Sequence, residues 1–93
     1  MNNDLQAGNQ LFPVFLKLNN LKVLLIGAGP VGLEKLTALL GNAPHAFIRI
    51  IAIDILPELA AMAAQFSQVI IEQRPYRPSD MQGYDLTIIA VNN

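Results

Sequence analysis

The sequence contains no cysteine, which excludes disulfides, thiolate metal sites and a cysteine nucleophile. Charge is scarce. Asp, Glu, Lys and Arg make up 14% of the 93 residues, against about 25% in a typical soluble domain. The six basic residues are scattered and the net charge is −1, so no patch suits nucleic acid or an anionic membrane surface. Nor does any apolar run approach the roughly 20 residues of a membrane span. The opening stretch MNNDLQAGNQLF has no basic region followed by an apolar one. No secretory leader is therefore expected, and the cytoplasm is the expected compartment.

What the chain has in abundance is apolar side chains, at 53%. A chain this short forms one domain, residues 1–93, with a thin core. Two explanations for the apolar excess stand open. Part of the surface faces a partner subunit or neighbouring domain, or a sheet is buried on both faces.

The pattern along the chain is strand, helix, strand, helix, strand, connection, strand. Residues 1–10 are polar and are expected to be disordered. Leu11–Leu18 alternates as a short strand, which Pro13 confines to an edge or a strand start. Lys22–Ile26 is a continuous apolar run, as expected of a central parallel strand. From Pro30 to about Leu40 the residues Val31, Leu33, Leu36, Leu39 and Leu40 make one apolar helical face, and Gly41-Asn42 is expected to end it. Phe47–Asp54 reads as a second buried strand and Pro57–Phe66 as a second helix, opened by its proline. Gln68–Gln73 and Tyr84–Val91 supply two further strands, joined by the proline-punctuated RPYRPSDM. This order predicts an α/β fold: a Rossmann-like, doubly wound parallel sheet, of which one half is present together with the short N-terminal strand.

The chemistry is concentrated at Gly27-Ala28-Gly29-Pro30-Val31-Gly32, a complete G-x-G-x-x-G lying between a strand and a helix. In such a turn Gly27 permits the sharp reversal, Gly29 lets the backbone approach a pyrophosphate, and Gly32 lets the helix pack close to the strand. The helix N-terminus presents unpaired N–H groups to phosphate oxygens, and Pro30 removes none that the helix needs. Asp54, at the expected end of the second strand, follows at the spacing where a carboxylate accepts hydrogen bonds from ribose hydroxyls. The same charge disfavours a 2′-phosphate, so NAD is expected rather than NADP. The plainer alternative is a tight turn with Asp54 as a loop acid or a helix N-terminal charge.

Other polar residues give weaker signals. His45 sits in a polar loop with no ligand at metal spacing, and Glu34 and Lys35 fall on the solvated side of the first helix. Arg74 and Arg77 would attract a polycarboxylate or would be solvated loop charges. Met62, Phe66, Tyr76 and Tyr84 read as core. No nucleophile–base pair, carboxylate pair or metal cluster is expected.

LFPVFLKLNNLKVLLIGAGPVGLEKLTALL and RPYRPSDMQGYDLTIIAVNN together resemble the NAD-binding domain of the precorrin-2 dehydrogenase, or siroheme synthase, family. The resemblance runs from Leu11 to Asn93. It rests on Pro13, Phe15, Leu18, Gly27, Gly29, Val31, Lys35, Pro57, Glu58, Leu59, Pro75 and Tyr76. It implies NAD-dependent oxidation of precorrin-2 to sirohydrochlorin on the route to siroheme, with ferrous iron insertion in some members. Pro30 and Val31 are then expected on the pyrophosphate side, Ile53 and Asp54 on the adenosine side, and Val91 and Asn92 towards the nicotinamide. The cofactor-binding set is thus Gly27, Gly29, Pro30, Val31, Ile53 and Asp54, with no catalytic residue and no metal ligand. Where family members end the fourth strand in A-T-D-D, this chain has Ala90-Val91-Asn92-Asn93. The family's catalytic aspartate lies on a later strand, followed by dimerisation and helical regions. The chain is therefore expected to be a cofactor half that is homodimeric when complete and takes a tetrapyrrole substrate. Another NAD(P)- or FAD-dependent oxidoreductase domain, or a non-catalytic nucleotide sensor, shares the generic turn and remains an alternative.

Overall fold

A computed structural model describes residues 20–91. The expected strand at Leu11–Leu18, the polar residues 1–10, and Asn92 and Asn93 lie outside them. Four strands form one sheet: β1 (Lys22–Ile26), β2 (Phe47–Ala52), β3 (Val69–Gln73) and β4 (Leu86–Ile89). All pairings are parallel and the spatial order is β3-β2-β1-β4. Helices α1 (Pro30–Asn42) and α2 (Pro57–Ala63) join β1 to β2 and β2 to β3. This is the expected half of a doubly wound α/β sheet.

Alternation along the strands creates two apolar layers. Val23, Leu25, Ile48 and Ile50 lie under Leu36, Leu39 and Leu40 of α1 and Leu59 and Ala63 of α2. Leu24, Ile26 and Ile51 point to the opposite face, where Tyr76 and Tyr84 of the β3–β4 connection cover them. Both helices thus share one face, and the return from β3 to β4 crosses the other. That second face is only partly covered, since Ile70 and Ile89 remain 44% and 58% exposed. Burial of the sheet on both faces thus accounts for part of the apolar composition. The sheet centre is buried on both sides, and apolar side chains at its flanks are not.

Several element ends differ from the expected ones. Helix α1 runs through Gly41-Asn42, because the Ala43 N–H donates to the Leu39 carbonyl at 2.7 Å and Asn42 Nδ2 donates to the Ala38 carbonyl at 2.9 Å. Helix α2 stops at Ala63. Its tail tightens into shorter-range bonds, from Gln65 N–H to the Met62 carbonyl and from Phe66 N–H to the Ala63 carbonyl, both at 3.1 Å. Strand β2 ends at Ala52, two residues before Asp54. Its pairing with β3 closes where the Arg74 N–H reaches the Ala52 carbonyl at 2.9 Å, and the chain then peels away. Strand β4 spans only Leu86–Ile89. Flanking bonds from Asp85 N–H to the Lys22 carbonyl and from Ala90 N–H to the Ile26 carbonyl show that the ladder's influence extends further. Among the described residues no helix is long and apolar enough to cross a membrane.

Candidate functional site

The glycine turn lies where β1 ends, at the carboxyl edge of the sheet, which is where open α/β sheets place their ligands. Gly27 has φ +112°, a conformation strained for any residue with a Cβ. A Cβ there would lie 2.4 Å from the Ala90 carbonyl oxygen, so β4 also forbids one. Gly27 N–H donates to the Ile51 carbonyl at 3.0 Å, joining the turn to β2. At Gly32, on the buried side of α1, a Cβ would meet the Gly27 carbonyl oxygen at 2.5 Å. Helix and turn touch backbone to backbone.

Gly29 behaves differently. A Cβ built there meets nothing within 4 Å. Gly29 precedes the first helical residue in an extended conformation, and no side chain caps the helix. Its carbonyl accepts the Leu33 N–H at 2.8 Å, while Pro30 occupies the first helical position. Open space therefore faces an uncapped helix N-terminus, whose N–H groups and partial positive charge favour an anion.

This space opens into a cleft of ≈ 470 Å³, within the range of small-molecule sites. The glycine turn contributes Gly27, Ala28, Gly29 and Val31, and the end of β1 contributes Ile26. Ile51, Ala52, Ile53 and Asp54 line it from β2 and the following bend, and Ala90 and Val91 from the end of β4. The structure thus brings together Gly27, Gly29, Val31, Ile53 and Asp54 of the expected set, with Val91 across from them. Pro30 is exposed at the start of α1 and borders this group without lining the cleft.

Backbone and side-chain bonds hold the cleft walls in place. Leu56 N–H donates to the Ala28 carbonyl at 2.9 Å, tying the segment before α2 to the glycine turn. Gln73 Nε2 donates to the Ile53 carbonyl at 3.0 Å, bracing the bend that carries Asp54 from the end of β3. Asp54 itself is exposed, and its carboxylate has no hydrogen-bond or ion-pair partner among the described residues. It lies beyond the strand rather than at its end, as expected from sequence, yet still on the cleft.

Tyr76 also lines the cleft, a placement that its sequence context did not signal. A half-buried aromatic between two prolines reads as core from composition alone. Only the passage of the β3–β4 connection over the second face brings it to the cleft.

The two arginines of that connection differ, Arg74 being ion-paired and Arg77 largely solvated. Arg74 makes a forked pair with Asp80, at 2.7 and 2.9 Å, and a further bond to Glu72 at 2.9 Å. Glu72 also pairs with Arg49, whose Nη1 donates to the Tyr84 hydroxyl at 3.0 Å. Asp80 accepts the Arg77 N–H at 2.7 Å as well. The Arg74 guanidinium first, and that N–H second, hold the Asp80 carboxyl well below the usual carboxylate range. Arg49 and then Arg74 lower Glu72 in the same way. The Arg77 side chain does remain largely solvated, at 67% exposed. Parallel register explains why this network escaped the sequence. Arg49 pairs with Ile70 and Ile51 with Glu72, so Arg49 and Glu72 are diagonal neighbours only once β2 and β3 are aligned.

His45 lies in the α1–β2 connection, at the opposite end of the strands from the cleft. Glu34 and Lys35 are exposed on α1, as expected.

With this geometry in hand, the chain can be set beside known proteins. The model of a family described as "Putative NAD(P)-binding" matches residues 14–93. The siroheme synthase of Chromobacterium violaceum is 35% identical over 86 residues, which cover 90% of this chain and 17% of that protein. The siroheme synthase of Nitrosomonas eutropha is 32% identical over 82 residues, covering 88% of this chain and 17% of that protein. Among solved structures, SirC, precorrin-2 dehydrogenase, matches with a TM-score of 0.69 at 19% identity, over 78% of this chain and 35% of that one. That last likeness is one of fold. The chain spans about a sixth of the length of the siroheme synthases it matches.

Proposed function

The chain belongs to the NAD(P)-binding family whose model it matches, and from that membership we propose that it is the NAD-holding part of a precorrin-2 dehydrogenase. The observation that carries the proposal is the contrast within the glycine turn. The fold itself forbids a side chain at Gly27 and Gly32, whereas the space at Gly29 is contested by nothing in the protein. That space fits a pyrophosphate approaching the N-terminus of α1.

In this proposal Gly27, Gly29, Pro30 and Val31 surround the pyrophosphate, and Ile53 and Asp54 take the adenosine. Asp54, unpartnered within the described residues, accepts hydrogen bonds from the ribose hydroxyls. Val91 lies towards the nicotinamide. When bound, NAD supplies the ring that accepts a hydride, and the chain supplies orientation and electrostatics. Precorrin-2 as the substrate, its oxidation to sirohydrochlorin, assembly as a homodimer and residence in the cytoplasm belong to the same proposal. The substrate and the reaction are supported by the siroheme synthase relatives and by the motifs shared with that family.

Titration of the purified chain with NAD and with NADP tests the cofactor assignment. A carboxylate facing a 2′-phosphate is an unfavourable pair, so NAD is expected to bind at least about ten-fold tighter, equivalent to ~1.4 kcal/mol. Asp54→Asn narrows that gap while leaving the melting temperature unchanged. Equal or tighter binding of NADP by the unsubstituted chain overturns the role of Asp54.

A further inference from the structure

Beyond β3 the chain turns across the second face of the sheet, and Tyr76 is the side chain of this connection that reaches the cleft. Tyr76 packs against the cluster of Leu24, Ile26 and Ile51, and it lines the same cleft as Ile53 and Asp54. Its hydroxyl has no hydrogen-bond partner among the described residues. A tyrosine retained for core packing alone would be covered, and one retained for its hydroxyl would be bonded, as Tyr84 is to Arg49. Tyr76 is half-buried and unbonded, with an aromatic surface left bordering open space.

The backbone that carries it is held on both sides. The Arg74 N–H is fixed to the Ala52 carbonyl, and the Arg74 guanidinium grips both carboxylate oxygens of Asp80. The Arg77 N–H donates to the same carboxylate, closing a short loop with Tyr76 between its ends. Pro75 and Pro78 restrict φ on either side of the Tyr76-Arg77 pair. A wall positioned this firmly loses little freedom when a ligand settles on it.

Sheet order fixes which half of a dinucleotide the wall would meet. With strands arranged β3-β2-β1-β4, the cleft runs from the β2 side, with Ile53 and Asp54, past the glycine turn to the β4 side, with Val91. Tyr76 follows β3, so it belongs to the side of Asp54. Building on the NAD reading above, we propose that Tyr76 is the stacking wall for the purine base, and that with exposed Ile53 it makes the adenosine half the anchoring half of the ligand. A purine has a flat π face with apolar character, the chemistry that an aromatic ring and an isoleucine side chain recognise without hydrogen bonds.

Nuclear magnetic resonance of the chain with AMP, nicotinamide mononucleotide and NAD tests this. The chain has two tyrosines and no tryptophan, and a Tyr84→Phe control separates the two sets of ring signals. AMP and NAD are expected to shift the Tyr76 ring protons upfield and leave those of Tyr84 in place, and nicotinamide mononucleotide to leave both. Tyr76→Phe keeps AMP affinity within about two-fold. Tyr76→Leu, which retains apolar contact with the layer beneath, lowers AMP and NAD affinity about ten-fold or more and spares nicotinamide mononucleotide. AMP that moves the glycine-turn amides but not the Tyr76 ring overturns the proposal and leaves the dinucleotide reading intact. So does Tyr76→Leu binding AMP as tightly as the unsubstituted chain. NAD that moves neither the glycine-turn amides nor Tyr76 overturns both.

Discussion

Gly27, Gly29 and Gly32 differ only in what a Cβ would meet, and that difference separates residues required by the fold from one open to a ligand. Gly27→Ala places a methyl against the Ala90 carbonyl in a left-handed conformation. It is expected to cost about 3 kcal/mol or more in unfolding free energy, measured by denaturant titration. Gly29→Val meets no internal obstacle. It weakens the start of α1 by about 1 kcal/mol, since valine is a poor residue before a helix. Its main effect is expected on NAD, whose pyrophosphate can no longer approach the backbone. If Gly29→Val unfolds the chain as Gly27→Ala does, the glycine serves the turn and not the ligand. Five of the six expected cofactor residues line one cleft, and they were legible because a glycine fingerprint imposes spacing that sequence preserves. Tyr76 was not legible, because nothing in its residue type distinguishes a ring packed in a core from one that borders a cleft.

The helices and central strands were visible in the sequence as periodicity, with Leu36, Leu39, Leu40 and Leu59 all falling in the core. Their ends were less visible, as with β2, which closes at Ala52 because Arg74 takes the last ladder bond. The β3–β4 connection was the least legible element. Its order depends on charge pairs whose partners come from β2, β3 and a 3-10 turn at Pro78–Met81. That network gives the element a pH dependence of defined sign. Asp80 and Glu72 have their carboxyls held below their ordinary values in the folded chain. The unfolded chain therefore binds more protons through the acid range. The stabilisation is fully present above the unfolded carboxylate values, about 4, and is lost as pH falls towards the lower folded ones. Thermal melts from pH 7 to pH 2 are expected to fall more steeply below about pH 4 for the unsubstituted chain than for Asp80→Asn. The Asp80→Asn protein starts lower at neutral pH, because Arg74 has lost its forked partner. Parallel pH profiles for the two proteins would remove Asp80 from this role.

For the molecule as a whole, the cleft is chemically one-sided. The titratable side chains that line it are Asp54 and Tyr76, and both stand on the β2 side, where the proposed adenosine lies. At the β4 side, Ala90 and Val91 offer only apolar groups and backbone. Oxidation of a tetrapyrrole needs the substrate held against the nicotinamide and a group within hydrogen-bond reach to accept a proton. Asn92 and Asn93 cannot serve as general bases, because carboxamides do not titrate near neutral pH. The second face of the sheet, with Ile70 and Ile89 exposed, likewise builds no wall over the nicotinamide end from the described residues. The 93-residue chain is therefore expected to bind NAD without turning over precorrin-2. The measurement is sirohydrochlorin absorbance after anaerobic mixing of the chain with NAD and precorrin-2. SirC, precorrin-2 dehydrogenase, supplies the positive control. Background rates with the chain and formation of sirohydrochlorin with the control are the expected pair. Turnover by the chain itself would mean that these residues complete the nicotinamide end, and that the cleft's one-sided chemistry is sufficient for hydride transfer.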